Sequence, residues 1–320
     1  MNWIAAALTL TIISYESFEK GDPTALSQLK RALLEEGIVG IKGIPMLQEN
    51  VERFIESARA FSALPESVKN TYAPNRERGD LFLGYEEGKE RFQRADGTWV
   101  VDNLKVSYYA FVPDHCSNIW PQKLWFKTPF LKLGTLMSEM GEKVMRAIEL
   151  TGPATGVETA ENKVGRMLYY KNSEEGIENN PYWCGAHFDH GLFTSLLPAL
   201  YFRDGSPVPE PEDAGLFVRK SDGEDFQKVE ASGLDLMLFQ VGEFGQLLSN
   251  DQIFATEHRV HKAKGAVERY TMALFFEPPL DTLVHSTSTL THDARYEGCP
   301  GSACTYQTWH ENSFKRYLAK

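Results

Sequence analysis

Long apolar runs are missing from this sequence of 320 residues. The nearest candidate, residues 3–13, is far shorter than the roughly 20 residues a bilayer span needs, and no Lys or Arg precedes it. A short N-terminal helix followed by a buried strand over residues 8–15 is expected there, with no membrane partner. Cysteine is scarce: Cys116, Cys184, Cys299 and Cys304 are scattered and lack the spacing of a zinc site. Cys299 and Cys304 are near enough to pair, but a reduced, cytoplasmic chain is the simpler reading. Clusters of Lys and Arg are also lacking, and the formal net charge is -11. A nucleic-acid partner needs a basic face to neutralise phosphates, so that class is disfavoured. No repeat of fixed period is present. Apolar content of 42% and charged content of 24% are ordinary for soluble globular proteins, which argues against disorder or coiled coil over most of the chain.

What is present divides into helical and strand-like texture. Asp22-Pro23 makes an N-cap with proline at the first helical position, and Leu26, Leu29 and Leu33 repeat at helical spacing until Gly37. Residues 38–41 form a compact buried strand. Asn50 is expected to cap a second helix with Val51, Phe54, Ile55, Ala58 and Phe61 on its inner face. Thr128-Pro129 starts the longest helix, striped by Phe130, Leu133, Met137, Met140, Val144 and Ile148. Such stripes indicate core rather than cofactor contacts.

From Lys163 onward, short runs rich in Leu, Phe, Tyr and Val cover residues 164–170, 192–201, 215–218, 236–241 and 270–276, with turn residues between them. Evenly spaced short strands predict a sandwich or barrel. The fold class is therefore α+β with a mainly β core and N-terminal helices packed outside it. No polar linker interrupts the chain, so residues 1–320 are read as a single domain. It has a helical and mixed region over 1–155, a β core over 156–280 and a C-terminal extension over 281–320. Residues 204–213, with Pro207, Pro209 and Pro211, predict an exposed loop that is either decoration or a cover over a site entrance.

The chemistry centres on Ala186-His187-Phe188-Asp189-His190-Gly191. On an extended strand, residues i and i+2 share a face, so His187 and Asp189 can offer a nitrogen and a carboxylate oxygen to one ion. One further His from a distant strand would complete the two-His, one-carboxylate face that leaves Fe(II) open positions for oxygen and substrate. Alone, a His-x-Asp pair is a weak signal. Downstream lie Thr256-Glu257-His258, after what reads as a turn ending a strand at Leu247-Leu248-Ser249-Asn250-Asp251, and then Arg269-Tyr270-Thr271. An Arg beside a hydroxyl on one strand face suits a carboxylate, which a guanidinium fork can bind in bidentate fashion.

Three motifs in this order, His187-Phe188-Asp189, His258 and Arg269-Tyr270-Thr271, resemble those of the iron(II)/2-oxoglutarate-dependent dioxygenase family, of the isopenicillin N synthase and plant anthocyanidin synthase type. The resemblance extends to Gly191-Leu192-Phe193-Thr194-Ser195-Leu196-Leu197, Gly215-Leu216-Phe217-Val218, Val241-Gly242-Glu243, Leu248-Ser249-Asn250 and the Phe-x-Leu-Pro connection in FSALPESVK. Gly84-Tyr85, Asp102-x-x-Lys105 and Asn118-Ile119-Trp120-Pro121 also have counterparts, so the likeness covers roughly residues 8 to 280. It implies a double-stranded β-helix, or jelly roll. It also implies iron held by His187, Asp189 and His258, with His261 as the fallback because the family's Arg usually follows its second His by about ten residues. Arg269, Thr271 and Tyr170 are implied to hold the far carboxylate of 2-oxoglutarate, although Leu168 stands where the family often has Asn. Phe275 and Lys105, with Tyr108 and Tyr109, are implied near substrate, and His190 stands either close behind the ligands or exposed.

The activity implied is an oxidoreductase, a dioxygenase that hydroxylates, desaturates or cyclises a small organic molecule while releasing succinate and CO2. Its partners would be that substrate and molecular oxygen, with the chain a cytoplasmic monomer. Two other readings stay open: an oxidase of the isopenicillin N synthase type that does not use 2-oxoglutarate, and a non-catalytic metal-binding sensor on the same fold.

Overall fold

Two β-sheets face each other, and the N-terminal helices cover the outer side of the larger one. The structure, a computed structural model, describes residues 9–75, 83–88, 91–93, 97–150, 162–172, 181–219, 223, 225–299 and 303–317. The short helix expected at the N-terminus lies outside these residues. The larger sheet runs Ile12–Ser14, Ile38–Lys42, Leu236–Val241, Phe193–Leu196, Glu268–Glu277, Asn162–Tyr170, Lys105–Phe111 and Gly84–Glu87. The smaller runs Gln227–Lys228, Gly215–Arg219, Glu257–His261 and Tyr182–His187. Apart from the first pair, which is parallel, neighbours are antiparallel. This is the jelly roll the sequence implied.

The strand Glu268–Glu277 shows how the site is separated from the helical core. Tyr270, Met272, Leu274 and Phe276 join the cluster shared with the helices, while Ala273 and Phe275 belong to the cluster between the sheets. Period-two alternation therefore turns Arg269 and Thr271 toward the inter-sheet interior. The helical stripes fill the outer cluster as expected, with Phe54 and Phe130 meeting edge-on, their centroids 6.1 Å apart.

Several boundaries differ from the sequence reading. The first helix is Pro23–Glu35, capped by the Asp22 carboxylate accepting from Ala25 N. The second is Leu47–Ser62 and begins three residues before Asn50, because Met46 adopts φ 62° and turns the chain there. The longest helix is Lys127–Ala147, so Ile148 stands just past its end. The N-terminal strand is only Ile12–Ser14, with Ile13 buried and its neighbours exposed. The run over 192–201 splits into Phe193–Leu196 and Leu200–Arg203 around Pro198, which has no N–H to give a ladder. Residues 204–213 are not all loop: Ser206–Val208 pairs with Leu200–Arg203 across Asp204-Gly205, both at positive φ, the turn a tight hairpin requires. Residues 247–251 end a short helix, Glu243–Leu248, rather than a strand. A short apolar run does not distinguish the two by periodicity.

Cys299 and Cys304 are joined in a disulfide, which corrects the reduced reading for that pair. The strand Ala303–Thr305 pairs with Leu283–His285 and holds Cys304 in the core, a placement that sequence separation alone does not reveal. No helix among the described residues is long and apolar enough to cross a membrane.

Candidate metal centre

His187 ends its strand in the smaller sheet, and His258 sits directly opposite it in the register. Two segments far apart in the chain thus become one cross-strand pair with ring centroids 4.2 Å apart. Asp189 follows two residues beyond His187, just past the strand end. One donor atom from each of the three lies within 4.8 Å of the others, and His258 Nε2 is 3.9 Å from Asp189 Oδ1.

The donors are oriented before any ion arrives. His187 Nδ1 lies 2.9 Å from the Gly185 carbonyl, and His258 Nδ1 lies 2.9 Å from the Thr256 carbonyl. A carbonyl only accepts, so each Nδ1 carries the proton and each Nε2 presents its lone pair. Asp189 Oδ2 accepts from Thr194 Oγ1 at 2.7 Å and Gln240 Nε2 at 2.9 Å, while Oδ1 faces the histidines. Burial opposes ionisation of Asp189, yet His258, His187 and these two donors outweigh it and hold the carboxyl below its usual range. Burial, reinforced by His187, holds His258 below its ordinary value, which keeps it neutral. Two neutral imidazoles and an ionised carboxylate are the donor set that a divalent iron-type centre takes, so the residues present fit the metal.

Gln240 was missed by the sequence reading. Its signal was a single amide in the otherwise apolar strand Leu236–Val241, fully buried, where a polar group needs a partner. Gln240→Leu should lower ferrous affinity by roughly 10–100-fold, the usual loss when a ligand's supporting hydrogen bond is removed. Equilibrium dialysis against iron would measure it, and unchanged affinity would remove Gln240 from the site.

The segment after Asp189 is clamped by the turn into Glu243–Leu248. Glu243 N donates to Asp189 O at 2.8 Å, and Gly242 N and Phe244 N donate to Leu192 O and Gly191 O. A Cβ on Gly242 would strike the Gly191 peptide, 2.8 Å from its carbonyl carbon. Backbone cannot swing aside, so Gly242→Ala should cost about 1–3 kcal/mol in urea unfolding.

Arg269 is 3% exposed, and its Nη1 finds no hydrogen-bond partner among the described residues. Its Nε donates to Tyr201 Oη at 3.3 Å, and Tyr201 in turn donates to Glu210 at 2.9 Å. Tyr170 lies opposite Arg269 in the register, its ring centre 4.9 Å from the guanidinium carbon. Thr271 stands on the same face but donates its hydroxyl hydrogen to Leu197 O. Arg269 is thus a buried cation with unused donor capacity, the arrangement that takes a carboxylate. Tyr201 and Glu210 were not foreseen: Glu210 comes from the segment read as an exposed loop.

The remaining candidates separate by strand face. Lys105 lies opposite Tyr170 and ion-pairs with Asp102 at 3.1 Å. Phe275 is half-buried and lies opposite Thr194, the Asp189 donor. Tyr109 shares the interior, with the Arg166 guanidinium 4.8 Å from its ring. Tyr108 does not line the interior: it packs on Phe61 and Phe126 in the helical core. His261 stacks on Phe217 at 3.9 Å, outside the triad, which removes it as the alternative ligand. His190 turns to His310 and Glu277.

Comparison with known proteins agrees with this geometry. Residues 10–123 match the family described as non-haem dioxygenase in morphine synthesis N-terminal. The chain is 26% identical over 275 residues to the 2-oxoglutarate-dependent dioxygenase frbJ of Dothideomycetidae sp. (strain 11243), covering 80% of this chain and 70% of that one. It is 23% identical over 282 residues to the homoarginine-6-hydroxylase 2-ODD-C23.1 of Arabidopsis thaliana, covering 82% and 80%. In fold it is similar to a full-length Neurospora crassa protein solved in complex with alpha-KG, with a TM-score of 0.72, 20% identity and 98% of each chain covered. With the triad and the buried Arg269 in place, the chain is similar to iron(II)/2-oxoglutarate-dependent dioxygenases in fold and over most of its sequence.

Proposed function

We propose that this chain is a non-haem iron(II) and 2-oxoglutarate-dependent dioxygenase that oxidises a small organic molecule, releasing succinate and CO2. The observation that carries the reading is the pairing of the His187–Asp189–His258 face with Arg269, a buried guanidinium whose Nη1 has no partner among the described residues. His187 and His258 hold the ion through Nε2 and Asp189 through Oδ1. Ferrous iron supplies oxygen activation when bound. Arg269 anchors the far carboxylate of 2-oxoglutarate, and Tyr201 and the Tyr170 ring keep the guanidinium in place. Thr271 supports that end by fixing the strand to Leu197. The apolar walls between the sheets exclude water, and Phe275 and Lys105 are the nearest candidates for substrate contact.

The chain works as one domain and, in this reading, as a cytoplasmic monomer. Amino acids lead the candidate substrates, because one relative is named for homoarginine and the interior carries Glu86, Arg166 and Lys105 beside apolar walls. The test is succinate release from 2-oxoglutarate with iron across an amino-acid and metabolite library, with Asp189→Ala as the control. Succinate from wild type alone, stimulated by one substrate class, is expected. Equal succinate from both proteins would refute the mechanism. Oxygen uptake without succinate would favour the oxidase, and bound iron without oxygen uptake the sensor.

A further inference from the structure

Behind the metal centre lies a second set of donors that the dioxygenase reaction does not use. His190 follows Asp189 immediately, Glu277 ends the long strand Glu268–Glu277, and His310 projects from the helix Tyr306–Tyr317. One donor atom from each lies within 4.8 Å of the others. We propose that His190, Glu277 and His310 form a second, zinc-class divalent metal site that pins the C-terminal helix to the jelly roll.

The three donors converge closely enough for one ion to bridge them. His190 Nε2 and His310 Nδ1 are 3.1 Å apart. Two imidazole nitrogens at about 2.0–2.1 Å from a tetrahedral zinc stand about 3.3 Å apart, so the observed edge is close to that spacing. His310 Nδ1 also lies 3.3 Å from Tyr306 Oη, whose own hydrogen is directed to Glu277. Without an ion, one of the two facing nitrogens must carry a proton and donate it to the other, which uses up the lone pair of only one ring. With an ion, the lone pairs of both imidazoles are satisfied at once. Three protein ligands leave one position, and Tyr306, bonded to Glu277 and close to His310, is placed to hold a water there.

The surroundings also need a cation. The Glu277 carboxyl faces the two imidazoles and makes no ion pair with a Lys or Arg among the described residues. The walls are aromatic: Phe314 lies 4.9 Å from the His190 ring and 4.6 Å from the His310 ring, centre to centre. Trp309 Nε1 donates to His190 O at 3.2 Å, so the helix already grips this loop through its backbone. Two nitrogen donors and one carboxylate suit zinc, which takes four ligands and needs no open face for oxygen.

Zinc also binds two-His, one-carboxylate faces, so the test separates the two sites by mutation. Metal-free full-length protein is titrated with zinc chloride against a chromophoric chelator. Wild type should bind two equivalents, Asp189→Ala one, and Glu277→Gln one. The double variant should bind none above background. Glu277→Gln keeps the shape and the Tyr306 hydrogen bond, and His310→Ala provides an independent second variant. Zinc should raise the melting temperature of Asp189→Ala and leave that of the double variant unchanged. A relay of hydrogen bonds without metal would leave Asp189→Ala binding no zinc. That result, or second-site affinity reduced less than about tenfold in both Glu277→Gln and His310→Ala, overturns the proposal.

Discussion

Asp189→Ala should abolish 2-oxoglutarate turnover at any practical iron concentration, with a loss on the order of 10³-fold or more. Removing only a ligand's supporting hydrogen bond typically costs 10–100-fold, and here the ligand itself goes. The variant also leaves Thr194 and Gln240 directing donors into a buried space with no acceptor, where their unmet hydrogen bonds add about 1–3 kcal/mol of destabilisation each at most. Iron stoichiometry, succinate yield and a melting curve should be read together. Full iron loading with retained succinate would dismiss Asp189 as a ligand, whereas loss of iron in a protein that still melts cooperatively is the predicted pattern.

Arg269→Met should separate cosubstrate binding from folding in an unusual direction. Truncating one partner of a buried, charge-assisted contact costs about 2–5 kcal/mol of binding, or about 30-fold to several thousand-fold in the apparent KM for 2-oxoglutarate. Yet the folded chain should not suffer without the cosubstrate, because the mutation replaces a buried cation that has no carboxylate partner by an apolar chain of similar length. Its melting temperature should be equal to or above that of wild type. Wild type, by contrast, should gain stability from 2-oxoglutarate, about 2.7 kcal/mol at a hundred times Kd. The variant should not respond. A variant that unfolds readily but binds 2-oxoglutarate normally would make Arg269 a structural residue.

The reach of the sequence can be seen strand by strand. His187 and Asp189 were legible because spacing within one segment is local information, and so was the alternation that sends Arg269 and Thr271 to one face of Glu268–Glu277. Tyr108 was placed on the wrong side although the same period-two rule applies to it: the segment Lys105–Phe111 is buried on both faces, so composition does not say which face is interior. Residues 204–213 read as loop because three prolines suggested exposure, yet Pro207 sits in an edge hairpin, a position that tolerates a missing N–H.

Residue types and short-range periods, both properties of the chain alone, predicted a helix-covered β fold and offered His187, Asp189 and Arg269 as candidates, while the choice of iron and 2-oxoglutarate came from the family resemblance. Which histidine completes the triad was decided by register: the pairing of His258 with His187 across the smaller sheet puts their rings together and leaves His261 stacked on Phe217. The same holds for the carbonyls that set the imidazole tautomers, for Gln240 behind Asp189, and for the meeting of His190 with a helix more than a hundred residues away. Those contacts join segments distant in sequence, and their partners are chosen by strand pairing and packing, which no local pattern encodes.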